Sequence, residues 1–350
     1  MVNKLIFSAL IIIVLQSCKF NSINENATNA NIDFSNAQWI TDTLKIPSEE
    51  SLFYLDHPTP IFRKEFEVKR NLKNATLYIT AAGYYSASLN DSKIGKNYLD
   101  PAWTNFEKRI YYTEYNITQN LESGKNCLGV TLGNGFYNPL PMKMWGYLNL
   151  REHLPVGKPQ FIACLKLEYE NGKSETIYTD QTWKFSYGPI LKNNVYLGEI
   201  YDARREKEGW KMVGFKDNNW SKARENLGPG GQLQKAFFPP IQVTDIIDPI
   251  GISAPNSNSY LVDMGVNFTG LYKIRLKGKT GDTIQFRFGE RIYDNGTLNP
   301  MTTVAGQIKS KDRGGPGAPE IAWQTDSYIF GDENEIWYSP VFTFHTWRYM

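Results

Sequence analysis

Carboxylates, amides and aromatic rings are the groups in this sequence that could do chemistry, because the usual metal and redox ligands are scarce. Only three His and three Cys occur in 350 residues, with neither a Cys-x-x-Cys pair nor clustered His, so zinc and dithiol chemistry lack a ligand set. Asp263 in Val-Asp-Met-Gly and Glu290 in Phe-Gly-Glu-Arg are the carboxylates that invite an acid–base role. Carboxylates without a cleft around them are more often surface or turn residues. A second chemistry suits the aromatic and amide residues. Sugar sites combine a ring that stacks on the apolar face of the sugar with planar polar side chains for its hydroxyls. The first half of the chain has the materials. Its loop 138–147 sets Met, Trp and Tyr between prolines, which suits a binding rim or a surface packed on a further domain. Nucleic acid is excluded as a partner: 38 Lys and Arg against 36 Asp and Glu leave a formal charge of +2, with no surplus to hold a phosphate backbone.

The elements that must position these residues are strands. Twenty-one Tyr, nineteen Phe and nine Trp beside 28 Gly and 18 Pro describe a β-rich chain with many turns. Alternating runs at 61–68, 75–81, 84–89, 110–115, 127–132, 161–170, 174–179 and 182–187 predict a meander of short antiparallel strands. Asn90-Asp91 marks one hairpin, and Asn171-Gly172 supplies the dipeptide a tight type I′ turn prefers. Cys127 and Cys164 fall inside two of these runs, so burial is expected for both, although an exported chain permits a disulfide. The Gly- and Pro-rich stretch 228–240 breaks the pattern and predicts a domain boundary. Strands resume at 260–264, 271–276, 283–288, 326–330 and 341–349, and 309–319 reads as an exposed loop. Phe342, Phe344 and Tyr349 look built for a core with no cap after them, so the chain is expected to end inside a larger structure.

The first residues read as an address. Lys4 precedes an apolar run over 5–15, about eleven residues and too short to span a bilayer, as in a signal peptide. The run ends in Leu15-Gln16-Ser17-Cys18, which resembles the lipobox of bacterial lipoproteins and implies a lipid on Cys18. The expected organisation is therefore a signal peptide and lipobox over 1–18, a polar linker over 19–36, and two consecutive antiparallel β-sandwich domains over 37–230 and 237–350. Export and membrane anchoring, in the periplasm or at the cell surface, follow as expectations.

Several strings then become specific together. Ala82-Gly83-Tyr84-Tyr85, Leu89-Asn90-Asp91, Leu99-Asp100-Pro101-Ala102-Trp103-Thr104 and Leu132-Gly133-Asn134-Gly135-Phe136-Tyr137 resemble, in order and spacing, the N-terminal region of bacterial α-L-rhamnosidases. Gly198-Glu199-Ile200-Tyr201-Asp202 looks like the continuation of that region. Val262-Asp263-Met264-Gly265, Phe288-Gly289-Glu290 and Phe344-His345-Thr346-Trp347-Arg348 resemble the concanavalin-like β-domain that precedes the family's catalytic barrel. The fold implied is all-β, jelly-roll and concanavalin-like, with the second domain truncated at its C-terminal end.

The resemblance implies a function and candidate residues. The family removes terminal α-L-rhamnose with inversion, using two acids in an (α/α)6 barrel; inversion needs one acid and one base about 6.5–9.5 Å apart. No position here matches those acids, so the chain is expected to be the non-catalytic accessory portion of such an enzyme, acting on a rhamnose-containing glycan with the barrel as its missing partner. The alternative is a stand-alone carbohydrate-binding surface lipoprotein. In some relatives the corresponding domain binds rhamnose with calcium. Matching by position gives Asn90 and Asn134 as metal-side amides, with Asp91, Trp103 and Tyr137 toward the sugar. Calcium takes six to eight oxygens, so these residues fall short without main-chain carbonyls and water, and no cofactor is otherwise expected. Asn90-Asp91 is equally what a hairpin turn prefers. His345 matches a strand histidine beside the family's barrel interface, but a lone strand histidine is more often packed in a core.

Overall fold

The computed structural model describes residues 32–350 except 145, 146, 307 and 334. The expected signal peptide, the lipobox with Cys18 and residues 19–31 of the linker lie outside the described residues. The remainder, from Phe34 to Met350, is one compact unit.

Its first layer pair is the expected sandwich. One sheet runs Arg224–Asn226, Trp39–Thr41, Gln160–Tyr169, Leu72–Ala82, Arg109–Asn116, Gln232–Lys235, with Ser174–Tyr178 pairing Gln160–Tyr169 off that path. The facing sheet runs Ser221–Lys222, Lys184–Tyr187, Pro60–Val68, Gly124–Gly133, Tyr84–Leu89, Ser92–Lys93. Successive side chains on a strand point to opposite faces, so Ala75, Leu77, Ile79 and Ala81 all turn inward from one strand and are fully buried. Phe62 and Trp183 meet Phe161 edge-on at 5.2 and 5.4 Å, filling the gap between the sheets. Arg63, only 2% exposed, is held by Glu65 and Asp217 and donates to the carbonyls of Trp210 and Met212. The two cysteines sit as buried thiols on different sheets rather than as a disulfide.

Two turns differ in kind. At Asn90-Asp91 both residues take positive φ, 47° and 70°, which is the type I′ requirement. At Asn171-Gly172 the expected type I′ turn does not form: only Gly172 is at positive φ, and its N–H donates to the Tyr169 carbonyl. A longer loop with glycine in the left-handed position closes that hairpin instead.

The second half carries smaller sheets: Gly251–Asn256, Ser259–Gly270 and His345–Tyr349 in one, and Ile274–Lys277 with Glu335–Tyr338 in another. Phe288, Phe330, Tyr328 and Trp347 fill its core. Residues 341–344, expected as strand, are loop. Their backbone donors are taken elsewhere: the Glu199 carboxylate accepts the N–H groups of Val341 and Phe342.

The expected boundary has structure within it. Gln232–Lys235 lies parallel beside Arg109–Asn116, and an exposed segment without strands follows over 241–250. Strands from both sides of that segment share a sheet. Ile190–Asn194 and Gly198–Asp202 form a hairpin; Gly198–Asp202 then pairs in parallel with Thr325–Ile329, which pairs with Thr283–Arg287. Alternation divides this sheet cleanly. Glu199, Phe286, Asp326 and Tyr328 face the core, while Ile200, Gln285, Arg287, Thr325 and Ser327 line the other side.

Candidate functional site

Trp103 is the one predicted sugar-contacting residue that presents a ring to solvent. Its loop leaves the sandwich through Asp100, whose Oδ2 accepts hydrogen bonds from Asn97, Thr113 and Tyr115 at 2.8–3.2 Å. Those bonds anchor the loop base, and Trp103 beyond it is 51% exposed. Its indole stacks on Phe136 at 4.6 Å and 19°. Phe136 in turn meets Tyr84 and Tyr196 edge-on at 6.4 and 6.3 Å. The turn that delivers Phe136 requires glycine: Gly135 sits at φ 51°, and a Cβ there would come within 3.2 Å of Gly83 and the Tyr84 ring. A flat aromatic platform of two rings results, a surface suited to the apolar face of a sugar ring.

Tyr137 does not join the platform. It is 6% exposed, packs edge-on to Phe106 at 5.0 Å, and burial pushes its phenol above the ordinary range. Strand and loop alternation explains the exchange: of two adjacent aromatics, Phe136 turns outward and Tyr137 inward. The positional match to the family gave Tyr137 rather than Phe136; the Gly-Phe-Tyr string was the available signal.

The two amides matched to calcium are far apart. Asn90 accepts the Cys127 N–H on Oδ1 and donates to Asn126 Oδ1, both at 2.9 Å, so it belongs to the start of Gly124–Gly133. Asn134 follows the end of the same strand. Seven residues at about 3.3 Å each separate the two positions by roughly 23 Å, so they share no ion. Both amide oxygens are also engaged, Asn134 Oδ1 by the Asn138 amide at 2.7 Å. Asn134 rather locks its loop, its N–H and Nδ2 donating to Oδ1 and the carbonyl of Asn193. Asp91 is exposed beside Lys211, at 3.5 Å, on the Asn90 side and away from Trp103. No cluster of three His, Cys, Asp or Glu placed to hold a metal occurs among the described residues.

The tempting carboxylates have structural partners. Asp263 is gripped in fork geometry by Arg348 at 2.9 and 3.0 Å, which holds its carboxyl below the usual range. Glu290 is exposed, in the turn where its N–H donates to Thr302. His345 is a core residue: 1% exposed, stacked on Phe288 at 3.7 Å, with Nε2 2.7 Å from Asp326 Oδ2. Asp326 collects further donors, the Glu199 N–H and Thr343 on Oδ1 and the Tyr272 hydroxyl on Oδ2. Beside it, fully buried Glu199 is pushed up to about 8, first by desolvation and then by the Asp326 charge. This network ties residues 199, 326 and 341–345 into one buried joint.

A cleft of about 490 Å³ opens on the other face of the shared sheet. It is lined from six separate segments of chain, so no local motif announces it; the Asn193-Asn194 doublet is the nearest to a signal.

Two family models match. The α-L-rhamnosidase N-terminal domain matches residues 70–245, and the bacterial α-L-rhamnosidase concanavalin-like domain matches 253–350. An α-L-rhamnosidase of Formosa agariphila is 32% identical over 91% of the chain, and one of Streptomyces avermitilis 31% over 82%. The chain covers 33% and 26% of those proteins respectively, a quarter to a third of their length. Among solved structures, the α-L-rhamnosidase of Dictyoglomus thermophilum superimposes with a TM-score of 0.74 at 35% identity, over 90% of this chain and 33% of that one. The Streptomyces avermitilis enzyme complexed with L-rhamnose gives 0.74 at 28% identity, over 84% and 27%.

Proposed function

The chain belongs to the α-L-rhamnosidase family, and on that premise we propose that its two β-modules form the non-catalytic, glycan-contacting N-terminal portion of an enzyme that hydrolyses terminal α-L-rhamnose. The Trp103–Phe136 platform carries the glycan-contacting part of this reading: a half-exposed indole held flat by a second ring is ready to receive the apolar face of a sugar. The joint at Glu199 and Asp326 supports the accessory part, because it makes the two modules a single stiff body able to set a platform at a fixed distance from a catalytic domain. Lipid attachment at Cys18 would tether that body at a membrane facing its glycan.

Incubation of the 350-residue chain with a chromogenic α-L-rhamnoside is the first test, and no turnover is expected. Release of the chromophore that disappears on mutating a carboxylate within 37–350 would overturn the accessory role. The exposed platform also favours a second reading, a stand-alone carbohydrate-binding surface lipoprotein. The mass of the native protein in membrane extracts separates the two: near 40 kDa for the binding protein, and more than about twice that for an enzyme with its own barrel.

A further inference from the structure

The cleft on the outer face of the shared sheet has the chemistry of a ligand site. Its floor is one side of four strands, where register sets Arg287 opposite Thr325 and Gln285 opposite Ser327. Its volume, about 490 Å³, falls within the roughly 300–1,000 Å³ typical of small-molecule pockets. Aromatic walls come from Phe53, Tyr54 and Trp323.

Three buried polar atoms without a protein partner belong to residues that line it: Asn194 Nδ2, Thr325 Oγ1 and Tyr54 Oη. Asn194 is 6% exposed, and its own Oδ1 is spent on the N–H groups of Tyr196 and Leu197, which fixes the amide and leaves the NH2 unpaired. These atoms are closed off from the cleft as well as from bulk water, so they belong to the packing of its wall rather than to its open surface. Charge gives the sign of the ligand. Lys45, Lys158, Lys192 and Arg287 line the cleft against the single acid Asp42, and Asp42 is neutralised by Lys158. Arg287 lies 5.1 Å over the Trp323 ring, and no ion pair among the described residues engages it. Lys192 donates to the Tyr54 carbonyl at 2.7 Å and sits 3.3 Å from exposed Asp56.

We infer that this cleft binds an acidic saccharide, with the carboxylate or sulfate of the sugar on Arg287 and its apolar face toward the aromatic walls. The choice of a saccharide among acceptor-rich anions rests on the glycan-contacting role proposed above. The site is separate from the Trp103 platform: neither Trp103 nor Phe136 lines it.

Calorimetric titration of the full chain with sodium D-glucuronate tests it, with D-glucose and inorganic sulfate as controls. Glucuronate should bind more tightly than either control and weaken about tenfold in Arg287→Ala, the loss of one charge-assisted hydrogen bond. Trp103→Ala should leave glucuronate binding intact. The inference is overturned by absence of glucuronate binding, by equal binding of glucose, by sulfate binding as tightly as the sugar acid, or by indifference to Arg287→Ala. Glucuronate binding lost only in Trp103→Ala would place the sugar on the platform, overturning the cleft while leaving the proposed function standing. A Trp103-independent response to L-rhamnose, with glucuronate behaving as expected, would retire the platform alone.

Discussion

The Glu199 carboxylate accepts the Phe342 backbone N–H at 3.0 Å, across 143 residues of chain. It stands where a neighbouring strand would otherwise supply a carbonyl, and it makes a titratable group part of the joint between the two modules. The predictions that follow begin from that joint.

Glu199 should make the protein lose stability as pH rises. Its folded value, about 8, lies above the ordinary 4.5, so the folded state holds a proton that the unfolded chain releases. The contribution is complete below pH 4.5 and is lost progressively as pH climbs through 8. Thermal unfolding of Glu199→Gln across pH 5 to 9 should show a flatter profile than the parent. Parallel profiles in the two proteins would remove Glu199 from this role.

Gly198→Ala should break the shared sheet. Gly198 sits at φ 96°, and an added methyl would run into the Thr325 carbonyl, a backbone atom that cannot turn away. Strain and clash together should cost more than about 3 kcal/mol, read from the urea midpoint. A midpoint within experimental error of the parent would show that the pairing between Gly198–Asp202 and Thr325–Ile329 is dispensable.

Trp103→Ala should weaken L-rhamnose binding about three- to tenfold, the usual worth of one aromatic stacking contact, without moving the melting temperature. Tyr137→Phe should leave binding unchanged, because that ring faces the core. Titration of both variants checks the assignment, and the reverse order of effects would return Tyr137 to the site.

Cys127 should resist thiol reagents until the protein unfolds. Burial pushes its thiol up to about 11, more than Arg63 at 3.5 Å brings it down. Labelling of the native chain at pH 8 should be slow and should accelerate sharply in denaturant. Fast native labelling of Cys127 would mean that the interior near Arg63 opens readily.

Much of the sandwich was legible because its information is local. Leu72–Ala82 alternates small and apolar residues with polar ones, and the pleat converts that alternation directly into one buried face. Motif strings carried the family in the same way. What could not be read depends on partners distant in the chain. Gly198–Asp202 is short, and nothing near it signals a parallel partner, Thr325–Ile329, more than a hundred residues later. Asn90 and Asn134 share the same amide chemistry, yet one strand's length keeps them apart, and only register reveals it. Phe136 and Tyr137 are neighbours whose facing is decided by the Gly135 turn rather than by their own side chains.

The parallel pair across the module boundary bears on how the chain is made. The Ile190–Asp202 hairpin leaves the ribosome well before its partner: Glu199 and Asp326 are 127 residues apart. At roughly 5–20 residues per second the hairpin waits on the order of 6–25 s with one edge unpaired. During that interval the nascent chain displays an open strand beside a carboxylate that has nothing to hold. Chaperone demand during synthesis should therefore peak as residues between the hairpin and Thr325–Ile329 emerge, and slowing translation within that stretch should raise the aggregated fraction.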